Sequence, residues 1–216
     1  MAAPKVAHAP HDHIYCMNGL VFYIGLGLGL ALAAGVRAFL PALLAGALAS
    51  GGALGVSFDR GAYSFLQADW WLGAVAVVLV LAYLVQLRLG SERFESGQPA
   101  QALAGIGVAV GALLFAGTLA AHGDVAWPGL IGGAAAAALA QAVVRPIATR
   151  TRARLPDRGA REAVTLYLDS VSLVLAALVA LLHPLGYVAV ALFAWLWLRM
   201  RTRTGEKHAG LRVLRR

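Results

Sequence analysis

The chain is poor in charge and nearly free of cysteine. Only 13% of its 216 residues are Asp, Glu, Lys or Arg, where a soluble domain carries about 25%. A surface built from so few charges cannot be solvated by water, so most of the chain must have lipid as its solvent. One cysteine, Cys16, excludes a disulfide framework within the chain. Motifs of catalysis are also missing. There is no HExxH, no phosphate-binding loop, no nucleophile elbow and no spaced pair of carboxylates. We therefore expect no enzyme and no cofactor. Nor does the leader before the first apolar run read as a cleavable signal peptide, because no small-residue cleavage site follows a short apolar core.

What the chain has in abundance is apolar length. Hydrophobic residues make up 60% of it, and its mean hydropathy is +0.74. A helix needs roughly 20 apolar residues to cross a bilayer. The sequence has room for six or seven such segments, so the expected fold is an all-α polytopic transmembrane bundle. Residues 1–18 read as a polar leader, 19–200 as the transmembrane domain and 201–216 as a basic tail.

Two apolar blocks are too long for one crossing, and each is interrupted. The first runs from Gly19 to Leu54 and breaks around Gly35-Val36-Arg37-Ala38-Phe39-Leu40-Pro41. Proline lacks an N–H and crowds the carbonyl four residues back. Two geometries fit. One is a hairpin with Arg37 at its turn; the other is a kinked or re-entrant segment with Arg37 inside the membrane, where protein or water must cover the open backbone. The second block, Ala163 to Leu198, breaks at His183-Pro184-Leu185-Gly186 and reads as a helical hairpin. Between the two lie an amphipathic stretch, Gly55 to Trp71, expected to rest on the membrane surface, and spans over Leu72–Leu87, Ala100–Ala121 and from Trp127 to about Arg145-Pro146.

The net charge of +8 is unevenly placed. Six of the eighteen basic residues lie between Arg145 and Arg161, a stretch expected to be a loop, and seven more from Arg199 to Arg216. Both clusters abut apolar spans, which is the positive-inside pattern. It places the C-terminus in the cytoplasm, with the N-terminus outside if the first block is a hairpin and inside if it is a single span. Topology and attraction to anionic lipid headgroups account for these charges, so nucleic acid is not an expected partner.

Small residues recur four apart in the first block. Gly25, Gly29 and Ala33 share one helical face, and Gly27, Ala31 and Gly35 share another. Such faces let helices approach closely, whether within the bundle, in a homo-oligomer or against other membrane proteins. Gly107 and Gly111 mark a similar face.

Polar residues inside the apolar blocks are the candidate centre. Asp169 is a carboxylate in a span, an expensive placement that is often functional. Thr165 and Ser172 fall on its face at i−4 and i+3, and Arg37 is its natural partner across the bundle, with Gln86, Thr118 and Gln141 able to add hydrogen bonds. This polar seam can fix helix register as an ion pair or handle ions. A third alternative puts Asp169, eight residues past Arg161, in the hydrated start of its helix. The leader carries a separate cluster, His8, His11, His13 and Cys16, whose side chains all suit a metal ion; its two prolines favour an extended tail instead.

Two stretches resemble the bacterial DUF4126 membrane family. GLALAAGVRAFLPALLAGALA carries a Gly-x-Arg-Ala-Phe-x-Pro core, matched by Gly35, Arg37, Phe39 and Pro41. RPIATRTRARLPDRGAREAVTLYLDSVSLVLAALVALLHPL resembles the family's closing region, where Asp169 matches its aspartate. Thr165 stands where the family prefers serine and Leu168 where it prefers glutamate, and no charged counterpart occurs between Tyr83 and Arg88. The resemblance implies a membrane helical fold and no defined activity. Two functions follow from the residues: a small permease- or channel-like protein with Arg37, Asp169, Thr165 and Ser172 along its polar seam, or a non-catalytic accessory subunit of a larger complex, with metal binding at the leader as a variant.

Overall fold

The computed structural model describes residues 11–89 and 98–213. Among these every regular element is helical. In chain order they are α1 (His11–Val36), α2 (Phe39–Ser50), a 3-10 helix (Gly61–Gln67), α3 (Asp69–Leu89), α4 (Gln98–Ala121), α5 (Trp127–Ala153), α6 (Arg158–Leu181) and α7 (Leu185–Val213). Five helices are long and apolar enough to cross a membrane, with windows in α1, α3, α4, α5 and α6; α2 is a shorter apolar helix. The chain is a membrane-spanning helical bundle.

Helix α1 is the hub, packed against α4, α5, α6 and α7. Its two small-residue faces explain how one helix meets four neighbours. A Cβ on Gly25 would strike the His183 carbonyl, and one on Gly29 would strike Val179, so this face receives the α6–α7 corner. Gly27 receives the Phe115 ring of α4 and Gly35 the Ala137 backbone of α5. Gly107 and Gly111 of α4 complete the second interface against the backbone carbonyls of Ala34 and Ala31. Without a hydrophobic force to drive helices together in lipid, such close backbone approach supplies the dispersion contacts that hold a bundle.

The Gly19–Leu54 block is a hairpin. Gly107 of α4 lies beside Ala34, whereas Gly117, nearly three turns further along α4, touches Leu66, and the Leu66 carbonyl also meets Gly46 of α2. The start of α2 is therefore level with the end of α1, and α2 runs back alongside it. Gly35 lies inside α1 as a packing residue; the chain actually leaves the helix at Arg37 and Ala38. Pro41 falls in the first turn of α2, where its missing N–H costs no helical hydrogen bond. In the second block the turn includes His183 and Pro184, and α7 starts with Gly186 pressed on the Gly25 backbone.

Three expectations need correction. The 55–71 stretch does not lie flat on a surface: Val56, Phe58 and Leu66 are buried in the bundle, and Phe58 N–H donates to Gln67 Oε1 at 3.1 Å. Alternation of apolar and polar side chains here separates core from rim, not lipid from water. Helix α5 does not stop at Pro146 but continues through it to Ala153. One lost backbone hydrogen bond in a 27-residue helix is tolerated among neighbouring helices. The basic 145–161 region is accordingly helix with a short turn, Arg154 to Asp157, rather than a loop.

Leu26, Leu30, Phe58, Leu66, Leu114 and Val179 form a core cluster, each 3% exposed or less. It lies towards the end of the bundle that carries the 3-10 helix and closes that end. The opposite end, where α1 meets α2, is different.

Candidate functional site

At that opposite end the helices part around a cavity of about 340 Å³. Its walls come from the α1–α2 turn, the second half of α3, the first turns of α4, the second half of α5 and Asp169 of α6. Most of the wall is small or apolar: Ala34, Gly35, Ala82, Ala104, Gly107 and Ala148 set its width.

The polar groups arise from simple helical spacing. On α5, Gln141, Arg145, Thr149 and Arg152 recur at i, i+4, i+8 and i+11, one face of a helix, and all four line the cavity. On α3, Tyr83 and Gln86 stand three apart on the face turned inward. Arg37 occupies the turn between α1 and α2, its N–H still bonded to the Ala33 carbonyl at 3.0 Å. That bond fixes the backbone from which the guanidinium reaches inward.

Arg37 Nε lies 3.0 Å from Asp169 Oδ1. Asp169 Oδ2 accepts a hydrogen bond from the Tyr83 hydroxyl. Both carboxylate oxygens thus have a donor, and Asp169 is only 8% exposed. A buried charge is tolerable in lipid when so paired. The alternative of a hydrated Asp169 near its helix start does not hold. Beside this pair, Thr165 Oγ1 accepts from Arg152 Nη2 at 3.0 Å and from Gln86 Nε2 at 3.4 Å. Four elements, the α1–α2 turn, α3, α5 and α6, are joined through two acceptors on one face of α6. On the far wall Gln141 Nε2 donates to the Ala104 carbonyl at 2.9 Å, and Arg145 donates to the Ala100 carbonyl.

The sequence-derived seam is placed as follows. Arg37 and Asp169 meet and line the cavity. Thr165 sits behind the wall, 2% exposed, holding Arg152. Ser172 is fully buried and turns back on its own helix, donating to the Asp169 carbonyl at 3.1 Å. Thr118 does the same on α4, to Leu114. The helix-break residue Pro184 is remote from the cavity, in the α6–α7 turn at the opposite end. His8, His11, His13 and Cys16 lie outside the residues whose side chains are described; among the described residues no cluster of three or more His, Cys, Asp or Glu could hold a metal ion.

Sequence reasoning missed Tyr83, Arg145 and Arg152 as site residues. Tyr83 occupies the stretch where the family was expected to carry charge, and it serves Asp169 with a neutral hydroxyl instead. The Gln141–Arg145–Thr149–Arg152 spacing was a readable signal, hidden by the assumption that Pro146 ends the helix.

The family model described as "Domain of unknown function (DUF4126)" matches residues 24–203. The chain belongs to this family. The DUF4126 match begins in α1 and ends in α7, so it takes in the cavity, the Arg37–Asp169 pair and the breaks of both interrupted blocks. No curated protein matches the chain, and no solved structure does.

Proposed function

We propose that this DUF4126 member is a small permease-like protein whose cavity is a solute chamber open at one end of the bundle. One observation carries the reading: the cavity reaches the Arg37–Asp169 pair. A subunit serving only to pack against partners needs that pair closed off, with no room beside it. Here the room exists, while the core cluster around Phe58 and Leu114 seals the other end. A chamber open on one side and occluded on the other is one half of an alternating-access cycle.

The basic residues orient it. Arg145, Arg150, Arg152, Arg154 and Arg161 gather at the open end, so the positive-inside rule puts the chamber mouth and the C-terminus in the cytoplasm. Asp169 serves as an anchor that holds the Arg37 guanidinium at the wall. The broad apolar surfaces of α3 and α6, including Val77, Val80, Leu81, Leu166 and Val174, suit a lipid surround.

The test is solute flux in proteoliposomes. Chloride, phosphate, acetate, choline and glycerol are each followed with the wild type and with Ala104→Phe, which fills the chamber without touching the ion pair. At least one solute crosses faster than in protein-free vesicles, and Ala104→Phe slows it about tenfold or more. Flux equal to that of empty vesicles for every solute, or indifferent to the filled chamber, removes the reading. A C-terminal green fluorescent protein fusion that stays dark in cells would reverse the orientation.

A further inference from the structure

The chamber has a sign. Three guanidiniums line it, those of Arg37, Arg145 and Arg152, against one carboxylate, that of Asp169. The surplus is two positive charges among the lining residues. Glu162, two turns before Asp169 on α6, is outside the lining, and counting it still leaves the balance positive. Helix ends of both polarities border the space: α2 and α4 begin there, α1, α3 and α5 end there. Backbone dipoles therefore do not decide the sign; the side chains do.

The guanidiniums are also held in place. Arg37 is fixed by Asp169, Arg152 by Thr165 and Arg145 by the Ala100 carbonyl. A guanidinium carries five N–H donors in a planar fork, so it can serve a wall partner and a ligand together. Pre-set guanidiniums around a partly apolar space suit an oxyanion, because the fork matches two oxygens at once. At about 340 Å³ the chamber is at the lower end of the ligand-pocket range of about 300–1,000 Å³. It has room for an anion and the group that bears it.

Its geometry also admits a guest from the side. Helix α3 packs on α2 and the 3-10 helix, and among the described residues it shares no extended contact with α4. Both line the chamber, α3 through Leu79 and Ala82 and α4 through Leu103 and Ala104. An apolar-walled gap beside arginines at the bundle's end fits a phosphate carried on an acyl chain as well as a free one.

We propose that the chamber binds a phosphate group, held by Arg145 and Arg152 with Arg37 at the back wall. The proposal rests on the chamber reading above and adds the ligand's chemistry. The phosphate belongs either to an anionic lipid headgroup or to a small soluble phosphate, and the experiment separates the two.

Full-length protein in neutral detergent is melted with inorganic phosphate, with sodium chloride of equal ionic strength as the reference. The same protein in nanodiscs of pure phosphatidylcholine, or of phosphatidylcholine with phosphatidylglycerol, is examined by native mass spectrometry for retained lipid. A phosphate-specific rise in melting temperature assigns the soluble source, and selective retention of phosphatidylglycerol assigns the lipid. In either arm Arg145→Gln, at an exposed arginine, and Arg152→Lys, which keeps the charge but loses the fork, weaken binding about tenfold or more. Arg150→Gln, outside the lining, leaves it unchanged. No response in either arm, or a response untouched by both variants, overturns the proposal. Labelling of Ala104→Cys by a sulfonate-bearing thiol reagent, in a Cys16→Ser background, tells the two failures apart. If the thiol reacts and no phosphate binds, the chamber stands and its ligand is something else. If the thiol is inert, the chamber reading falls and the phosphate proposal falls with it.

Discussion

Replacing Asp169 by Asn keeps the shape of the side chain and deletes its charge. Arg37, whose side chain is 22% exposed, then loses its counter-ion while the guanidinium stays inside the bundle. Breaking a fully buried pair by removing one partner costs about 3–5 kcal/mol, and an exposed pair contributes about 0.2–1 kcal/mol. The chamber wets one side of Arg37, which places the cost between these, at about 2–3 kcal/mol. A chain of this size loses about 2–4 °C of melting temperature per kcal/mol, so the expected drop is about 4–12 °C. Arg37→Met should lose a similar amount, because Asp169 is then buried with only the Tyr83 hydroxyl as its donor. The double variant Arg37→Met/Asp169→Asn removes both charges and should lose clearly less than the sum of the singles, with a coupling of about 2 kcal/mol. Tryptophan fluorescence during heating in detergent reads all four proteins, since the chain carries five tryptophans. Additive losses would mean the two residues act independently, and the argument that this pair organises the open end would be wrong.

Two further outcomes test the packing and the opposite end. Gly186→Ala should cost about 1–3 kcal/mol or more and lower the monodisperse yield on gel filtration, because its Cβ would run into the Gly25 carbonyl; Gly105→Ala, which meets open space, should be silent. His183, at the α6–α7 turn, has its pKa pushed below the ordinary 6.5 by burial first and by the neighbouring His122 second. The folded chain then holds fewer protons than the unfolded one just below pH 6.5, so this contribution to stability is complete above that pH and is lost as pH falls through the depressed value. Melting curves at pH 7.5 and 5 should show a smaller acid loss for His183→Gln than for the wild type; equal losses would contradict it.

Much of this architecture was legible because lipid leaves few options. An arginine and an aspartate in separate apolar blocks must meet or be hydrated, so their pairing was one of two outcomes the sequence left open. The two glycine faces of α1 could likewise be read from their spacing, and each received the neighbours it had room for. What the sequence concealed was register beyond a proline. Pro146 looks like the end of a span, and with the helix cut there Arg152 is one more topological charge among six. Extended through Pro146, the same residues align as a polar wall. Tyr83 was hidden for another reason: a tyrosine in a span is ordinary, and only the position of α3 against α6 gives its hydroxyl a carboxylate to serve. The 55–71 stretch misled because amphipathic alternation looks the same whether its apolar side meets lipid or protein.

The chamber is bounded by alanines and glycines as much as by its arginines. Exchange Ala104 or Ala148 for leucine, and a hydropathy profile would barely change while the hollow filled with methyl groups. Within this family, the volume of the side chains at these few positions should therefore separate members with an open interior from those that are solid throughout. Two chains with indistinguishable hydrophobic plots could have opposite capacities to admit a guest.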